Sequence, residues 1–503
     1  MNKDRLTDRN KEWRVKLRER LSTKKRVEIP RVRMPELNAA YRITTQQEVN
    51  EGLSISQAVL EATRCLDCPE PGCVQGCPVH NDIPGFIKNI ERRAYTESIR
   101  VLNRTTVLPA VCGRVCPQEK QCEARCIYNK MGKEPVAIGH LERFAADFER
   151  EISGYYSFEE GPEIESEVST TPPQFLPIKV AVIGSGPSGL AFAGDMRMRG
   201  YNVTVFEALS RLGGVLKYGI PEFCLPNAIV DHEINKLQKM GVEFCRDSFV
   251  GKTISYEELK EMGFQGIYVA TGAGKPRFMN IPGENIPGVI TANEYLIRLN
   301  CLGPSIFGIN HVPLNGKRVA VIGGGNTAID AVRYALRLGA EQAMIVYRRS
   351  EEEMPARLEE IRHAHEEGVE FMTLTNPIEF LADERGYLRA MRVQRMKLGE
   401  PDDSGRRRPV AIEGAIDEIN VDLVVESVGY LPNPPFDLEG VNLDKYGQIE
   451  VDDSSMMSSS SSVYAGGDIV RGPSTVILAM GDGRKAAASM AEAFNKAMGN
   501  IKL

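Results

Sequence analysis

The sequence predicts an α/β protein in which two parallel-sheet units follow a helical, cysteine-rich region. Short Val/Ile-rich runs alternate with helical patterns from about residue 178 onward, which is typical of parallel α/β structure. Two of these runs end in similar glycine-rich turns, which begin at Gly184 and Gly323. Eight of the eleven cysteines lie between Cys65 and Cys126. Together these observations indicate a duplicated α/β unit behind a metal-binding region.

Length and composition limit the class of protein. The chain has 503 residues, which suggests about three domains. Its hydrophobic fraction of 42% and charged fraction of 26% are ordinary for a globular protein. No run of about 18 apolar residues and no signal peptide is present, so we expect a cytoplasmic protein without a membrane span. The net charge of −6 argues against general nucleic-acid binding.

The amino-terminal segment is strongly basic. Residues 1–34 contain 13 Lys/Arg and 5 Asp/Glu. Such a segment is commonly a solvated amphipathic extension, and the alternative is a docking arm for an acidic partner. A mitochondrial transit peptide is disfavoured because such peptides contain few acids.

The cysteines form two closely spaced runs. The first is Cys65-x2-Cys68-x4-Cys73-x3-Cys77-Pro78, and the second is Cys112-x3-Cys116-Pro117-x4-Cys122-x3-Cys126. Without a secretion signal, such a cluster favours metal over disulfides. Runs that end in Cys-Pro resemble ferredoxin runs, whereas structural zinc usually uses two simpler pairs. The pattern predicts two [4Fe–4S] clusters, with zinc and disulfides as alternatives.

Each glycine-rich turn follows a strand-like run and opens a helical pattern. In the first, Gly184 makes the tight turn, Gly186 admits a pyrophosphate and Gly189 allows close helix–strand packing. The helix amino terminus then attracts the phosphates. In the second turn Gly323 and Gly325 are the equivalents of Gly184 and Gly186, and Ala328 stands in place of Gly189. Asn326 and Thr327, which open the helix, complete the predicted set of binding residues there. The alternative is a pair of glycine turns that bind no ligand.

The end of the next strand indicates which nucleotide binds. Glu207 ends the strand in the first unit, where a carboxylate accepts hydrogen bonds from ribose hydroxyls. Arg348 and Arg349 follow the corresponding strand in the second unit, and guanidinium groups suit a 2′-phosphate. The second site is therefore predicted to bind NADPH. The alternative is that both arginines form surface ion pairs with Glu351–Glu353.

Features further along the chain assign the first site to FAD. The strand-like run Ile267–Gly272 ends in small residues, and Val463–Asp468 places an acid before the helical stretch Thr475–Asn495. This pattern resembles flavoprotein reductases with two dinucleotide-binding domains. The resemblance implies that Asp468 binds the ribityl chain, and that the helix beginning near Thr475 directs its positive end at the flavin. It also adds three residues to the FAD set, namely Gly214, Thr271 and Gly467. Asp468 could alternatively be an ordinary turn residue.

Several motifs in the same order resemble the small (beta) subunit of NADPH-dependent glutamate synthase. They are Cys65–Pro78, Gly113–Cys122, Gly184–Gly189, Leu212–Pro221 and Ala465–Asp468. Relatives of that subunit include the large subunit of NADH-dependent ferredoxin:NADP oxidoreductase and the amino-terminal half of dihydropyrimidine dehydrogenase. The resemblance covers roughly residues 30–500. It implies electron flow from NADPH through FAD and two [4Fe–4S] clusters to a partner, either the glutamate synthase large subunit or a ferredoxin-linked flavoprotein. No catalytic acid or base is needed for such a reaction.

The resemblance also implies a set of cluster ligands that contains seven cysteines and one oxygen ligand. One cluster would take Cys65, Cys68, Cys73 and Cys126. The other would take Cys77, Cys116, Cys122 and Glu142, which leaves Cys112 as a spare thiol. The alternative for Glu142 is a solvated carboxylate on a helix surface.

We therefore expect two Rossmann-like dinucleotide-binding domains, for FAD and NADPH, preceded by an α-helical iron–sulfur domain. The FAD domain is expected to consist of two separate segments (178–290 and 436–503), with the NADPH domain (291–435) between them. A basic extension (1–50), the cluster domain (51–150) and a linker (151–177) are expected to come before these. The sequence leaves two alternative functions open. One is the large subunit of a flavin-bifurcating NADH-dependent ferredoxin:NADP oxidoreductase, and the other is a non-catalytic zinc-bound scaffold.

Overall fold

The computed structural model describes residues 9–155, 176–306, 314–402, 405–435, 438 and 440–499. Most of the expected linker, 156–175, lies outside these residues, as does the start of the basic segment, 1–8. The described part of the chain consists of a helical domain, two five-stranded parallel sheets with helices, a three-stranded antiparallel sheet and a two-stranded antiparallel sheet.

The amino-terminal domain consists of short helices joined by cysteine-bearing loops. Its helices are α1 (Glu12–Arg20), α2 (Thr23–Glu28), α3 (Ala39–Arg42), α4 (Ile55–Arg64), α5 (Gly72–Gln75), α6 (Ile83–Glu91), α7 (Tyr95–Asn103), α8 (Pro109–Val115), α9 (Ile127–Lys130) and α10 (Ile138–Tyr155). Two 3₁₀ turns, Gln118–Lys120 and Glu123–Arg125, lie between α8 and α9. Local signals explain several helix starts, since Ser54 forms a capping box with Gln57 and Asp82 caps α6.

The first α/β unit contains one parallel sheet to which the chain returns near its end. Its elements are β1 (Lys179–Ile183), α11 (Pro187–Met198), β2 (Asn202–Phe206), α12 (Val215–Tyr218), α13 (Asn227–Lys239), β3 (Glu243–Cys245), α14 (Tyr256–Glu261), β4 (Phe264–Val269) and β5 (Ala273–Pro276). After the second unit come β15 (Val463–Ala465), α18 (Asp468–Arg471) and α19 (Val476–Gly499). The strand order is β15-β4-β1-β2-β3, and Ile183 at the end of β1 is in register with Phe206 and Val269.

The second α/β unit repeats this arrangement between β5 and β15. Its elements are β6 (Val289–Thr291), α15 (Ala292–Ile306), β7 (Arg318–Ile322), α16 (Asn326–Arg337), β8 (Gln342–Val346), α17 (Leu358–Glu366), β9 (Glu370–Met372), β10 (Thr375–Ala382), β11 (Leu388–Pro401), β12 (Arg407–Asn420), β13 (Leu423–Glu426) and β14 (Tyr430–Pro432). The parallel sheet has the order β6-β13-β7-β8-β9, and β10-β11-β12 form the antiparallel sheet. The two units are linked by the antiparallel pair β5 and β14.

One hydrophobic core joins the helical domain to the first α/β unit. Helix α19 packs along α11, and Gly194 of α11 lies so close to Val107 that a Cβ atom there would be 2.7 Å from its Cγ1. Phe192 stacks on Tyr268 with ring centroids 4.1 Å apart. This packing holds the cysteine-bearing domain against the first α/β unit, and the architecture confirms the predicted fold class.

Candidate nucleotide and iron–sulfur sites

A cavity of about 510 Å³ lies between the two α/β units and the helical domain. Nucleotide sites commonly have this size and position, at the carboxyl ends of parallel strands. Most of the residues predicted to bind FAD line it, namely Gly184, Gly186, Glu207, Gly214, Thr271, Gly467, Asp468 and Thr475. From the predicted NADPH set, Asn326 and Thr327 line the same cavity. The two sites therefore open into one space.

The first glycine turn leaves room for a ligand at one of its three glycines, whereas protein atoms lie close to the other two. Gly184 has φ +105°, and a Cβ atom there would lie 2.5 Å from the carbonyl oxygen of Ala270. At Gly189 a Cβ atom would lie 2.0 Å from the carbonyl oxygen of Gly184. At Gly186, just before α11, a Cβ atom would meet no heavy atom within 4 Å. The open space at the helix amino terminus suits a pyrophosphate.

Glu207, which follows β2, and Asp468, which begins α18 after β15, both line this space. Glu207 is buried and accepts hydrogen bonds from Ser185 N (2.9 Å) and Oγ (2.6 Å) through Oε2, and from Leu209 N (2.9 Å) through Oε1. Asp468 Oδ1 accepts from Ser474 N (3.1 Å) and Oγ (2.9 Å). Burial raises the pKa of Asp468 to about 6. Both carboxylates are held by local donors and still line the cavity, where ribose or ribityl hydroxyls can donate to them.

Sequence reasoning missed Asp482, which supports the turn before Asp468. Its Oδ2 accepts from Gly467 N at 3.0 Å, and its carboxylate pairs with Arg471 at 2.6 Å. Gly467 has φ +80°, a conformation that favours glycine. Asp482 lies in the second turn of α19, so its role depends on the packing of that helix against β15.

The second glycine turn has the same pattern of filled and open positions. A Cβ atom at Gly323 would lie 2.5 Å from the carbonyl oxygen of Ser427, whereas one at Gly325 would meet no heavy atom within 4 Å. Asn326 Oδ1 accepts from Arg357 N at 2.9 Å, which ties the start of α16 to the segment before α17. Arg357, which the sequence did not single out, is buried and lines the cavity.

The structure separates the two predicted phosphate-binding arginines. Arg349 is buried, pairs with Asp402 at 2.7 Å and donates to the carbonyl oxygen of Arg407 at 2.8 Å. Arg348 is exposed, and within the described parts of the chain it forms no ion pair or hydrogen bond. Neither arginine pairs with Glu351–Glu353 among these residues; Glu351 instead contacts His365. Arg348 is therefore the available guanidinium at the end of β8.

The eight clustered cysteines fall into two neighbouring groups. The first group comprises Cys65, Cys68, Cys73 and Cys126. The pKa of Cys73 is raised well above its ordinary value by burial and by the charges of the other three thiols. The second group comprises Cys77, Cys116 and Cys122, with Cys112 and Glu142 beside them. A hydrogen bond with Cys112, burial, and the charges of Cys112, Glu142 and Cys122 raise the pKa of Cys116.

Short turns connect the two groups. Cys73 and Cys77 flank the end of α5, and Cys122 and Cys126 flank the 3₁₀ turn Glu123–Arg125, so each four-residue step crosses from one group to the other. All eleven cysteines are free thiols in this structure. Buried thiolates are costly unless they bind a cation. Two groups of convergent thiols therefore fit two metal centres.

Glu142 and Cys112 both lie beside the second group but have different surroundings. Glu142 accepts one hydrogen bond, from Asn81 Nδ2 at 3.3 Å, and no cation pairs with it among the described residues. Burial raises its pKa to about 8. Cys112 Sγ lies 3.6 Å from Met480 Sδ and 3.8 Å from Thr106 Oγ1. The Cys112 thiol thus has neighbours in Cys116, Met480 and Thr106, whereas the Glu142 carboxylate has little to compensate its charge.

Comparison with known proteins agrees with this geometry. Residues 42–153 match the family model "dihydropyrimidine dehydrogenase domain II, 4Fe-4S cluster", and residues 178–483 match the model of pyridine nucleotide-disulphide oxidoreductases. In the described residues, no helix combines the length and apolar character needed to cross a membrane.

Several characterised proteins resemble the chain over most of its length. It is 36% identical to the small chain of glutamate synthase [NADPH] from Halomonas elongata, covering 87% of this chain and 91% of that one. The corresponding Escherichia coli K12 protein is 34% identical, covering 92% and 96%. The beta subunit of the NADP(+)-dependent formate dehydrogenase of Moorella thermoacetica is 39% identical, covering 83% of this chain and 59% of that one.

Among solved structures, Mycobacterium tuberculosis FprA in complex with NADPH superimposes with a TM-score of 0.55 at 22% identity, covering 65% of this chain and 86% of FprA. This likeness concerns the fold of the two α/β units. The extensive identity to the glutamate synthase proteins extends across the cysteine-bearing domain as well. The chain belongs to the family of the small chain of NADPH-dependent glutamate synthase.

Proposed function

We propose that this chain is the electron-input subunit of a glutamate synthase, an NADPH-dependent iron–sulfur flavoprotein oxidoreductase that supplies a large partner subunit. Family membership and the two matched domains support this function. When bound, FAD would supply the acceptor for a hydride from NADPH, and [4Fe–4S] clusters would supply one-electron transfer. The chain's own residues bind and orient these groups.

The spatial order of the sites is the observation that carries this proposal. Arg114, Val115 and Pro117 line the nucleotide cavity, so the adjoining Cys116 places the second cysteine group beside it. The cysteines of the second group are buried, whereas those of the first group are partly exposed. Cys73 contributes to the charges around Cys122, so the groups adjoin. A path from the cavity through the second cysteine group and then the first group to the surface would suit electron transfer to a protein partner.

For the nucleotides, the proposed roles follow the lining residues. The amino terminus of α11 would hold the FAD pyrophosphate at Gly186, with Glu207 on the ribose and Asp468 on the ribityl chain. The amino terminus of α19, next to Thr475, would face the flavin with its partial positive charge. Gly325 and the start of α16 would hold the NADPH pyrophosphate.

The proposal is tested with protein purified anaerobically. We expect one FAD and about eight irons per chain, bleaching of the flavin by NADPH, and co-purification with a glutamate synthase large subunit from the native cell. Zinc in place of iron would overturn the function. Reduction of ferredoxin that requires NADPH and NAD together would instead favour the flavin-bifurcating alternative.

Nucleotide preference should depend on Arg348. Replacing it by alanine is expected to raise the KM for NADPH roughly ten- to hundredfold with kcat nearly unchanged, because a hydrogen bond to a charged group contributes about 1.5–3 kcal/mol. The KM for NADH should not change. Steady-state reduction of an artificial acceptor measures both. Arg389, an exposed arginine of the same unit that pairs with Glu418, provides the control Arg389→Ala. An equal rise in both KM values would show that Arg348 does not contact the 2′-phosphate.

A further inference from the structure

The basic amino-terminal segment packs against the first cysteine group. We call residues 9–33 the amino-terminal strap. Asp67 lies between Cys65 and Cys68, is fully buried and has φ +55°. Arg14 of the strap donates to both Asp67 carboxylate oxygens over 2.6–3.1 Å. Arg18 also bonds Oδ2, so the strap neutralises an acid that lies between two proposed ligands.

The strap makes a second set of contacts at Glu91, whose partner Lys88 also reaches Cys65. Glu91 is buried and pairs with Lys88 at 2.6 Å and with Arg26 of the strap at 2.9 Å. Lys88 Nζ also donates to the carbonyl oxygen of Cys65 at 2.5 Å.

Around the first cysteine group, the cations that the strap and Lys88 supply outnumber the acids that they contact. The cationic residues are Arg14, Arg18, Arg20, Arg26 and Lys88, which pair with the acids Asp67 and Glu91, and Arg9, which donates to the backbone carbonyl oxygen of Asp67. Because the buried cations are already paired inside the domain, they are not available to dock an acidic partner.

We propose that the strap sets the reduction potential of the cluster at Cys65, Cys68, Cys73 and Cys126, with Arg14 as a positioning residue that acts through Asp67. This inference rests on the proposed function, which places a cluster there. Four thiolates make the cluster anionic, and one-electron reduction adds a further negative charge in a partly buried site. Nearby cations stabilise the reduced form and unpaired acids destabilise it, because charges interact strongly where water is excluded. The strap therefore favours reduction.

The test compares two variants of the full-length protein that are expected to shift the reduction potential in opposite directions. Arg14→Gln leaves Asp67 less compensated, so at fixed solution potential the reduced-to-oxidised ratio should fall about tenfold, which is 59 mV for one electron. Asp67→Asn removes the acid, and its midpoint should shift in the positive direction. The double variant should return toward the wild-type value. EPR-monitored redox titration measures the midpoints, with the second cluster as an internal reference.

Two further variants separate charge from structure. Lys16→Gln removes an exposed cation from the same helix and should leave the midpoint unchanged. Arg14→Lys keeps the charge but loses the two-pronged contact with Asp67. It should therefore lower the thermal midpoint of unfolding and leave the reduction potential near the wild-type value. A merely structural role predicts shifts of the same sign, or none, for Arg14→Gln and Asp67→Asn, and either result overturns the inference.

The wild-type protein separates failure of the proposed function from failure of the strap's role. Absence of cluster signals and of iron from anaerobic wild-type protein overturns the proposed function and this inference with it. Two clusters in the wild type, together with an Arg14→Gln variant at the wild-type potential, overturn the strap's role alone.

Discussion

Gly186→Val is expected to give a folded protein that retains iron but binds FAD about ten- to hundredfold more weakly. Gly186 has φ −70° and ψ 179°, which valine adopts readily, and a Cβ atom there meets no protein atom within 4 Å. The added methyl groups would instead occupy the space proposed for the pyrophosphate. Overpacking of a filled site costs about 1–3 kcal/mol. The ratio of flavin to protein absorbance and the circular dichroism spectrum measure binding and folding.

Two matched variants define what this result means. Gly325→Val places the same side chain at the equivalent open position of the second unit, where φ is −89°. It should keep FAD and lose reduction by NADPH. Gly189→Ala, in contrast, should destabilise the fold, because its Cβ atom would lie 2.0 Å from the carbonyl oxygen of Gly184. Full FAD content in Gly186→Val with loss of FAD in Gly325→Val would reverse the assignment of the two sites.

Glu142→Ala is expected to remove the second cluster, about four of eight irons, whereas Cys112→Ala should retain all of them. The carboxylate of Glu142 is buried without a cationic partner among the described residues, and binding to iron would compensate its charge. Cys112 already packs against Met480 and Thr106. Iron and acid-labile sulfide per chain, together with low-temperature EPR spectra, measure the outcome.

The controls for this prediction use another buried acid and a conservative change. Glu233 is also buried, but it contacts Lys236 and the backbone N–H of Ala110, so Glu233→Gln should keep eight irons. Glu142→Gln preserves a side-chain oxygen and should retain the second cluster. Loss of four irons from Cys112→Ala, with eight retained by Glu142→Ala, would make Cys112 the ligand.

Much of the fold could be predicted because its signals are local. A glycine turn after an apolar strand needs only neighbouring residues to specify it, and both turns occur where the sequence places them. The fold class and the grouping of thiols into a metal-binding domain follow from similar short-range patterns. Spacing alone, however, does not divide eight cysteines between two clusters, and the division came from the family resemblance. It remains a proposal that the two observed groups support.

Contacts between distant segments could not be predicted in this way. Arg348 and Arg349 are adjacent and chemically identical, yet Asp402, 53 residues from Arg349, pairs with that residue and leaves Arg348 exposed. The basic amino-terminal segment was expected to be solvated or to dock a partner. Buried acids instead pair with Arg14, Arg18 and Arg26 of this segment, and Arg14 pairs with Asp67 across 53 residues of chain.

The sequence by itself determined which components the protein has: two nucleotide-binding turns and a set of thiols suited to iron. Tertiary structure decided which charges remain available at those sites. Periodicity and spacing record the energetics of neighbouring residues. Whether a buried carboxylate or guanidinium is neutralised depends on partners that only folding brings within hydrogen-bonding distance. For this reason, only the three-dimensional structure shows that Glu142 has no cationic partner and Arg348 no acidic partner among the described residues. The same holds for the contacts that the arginines of the strap make with buried acids.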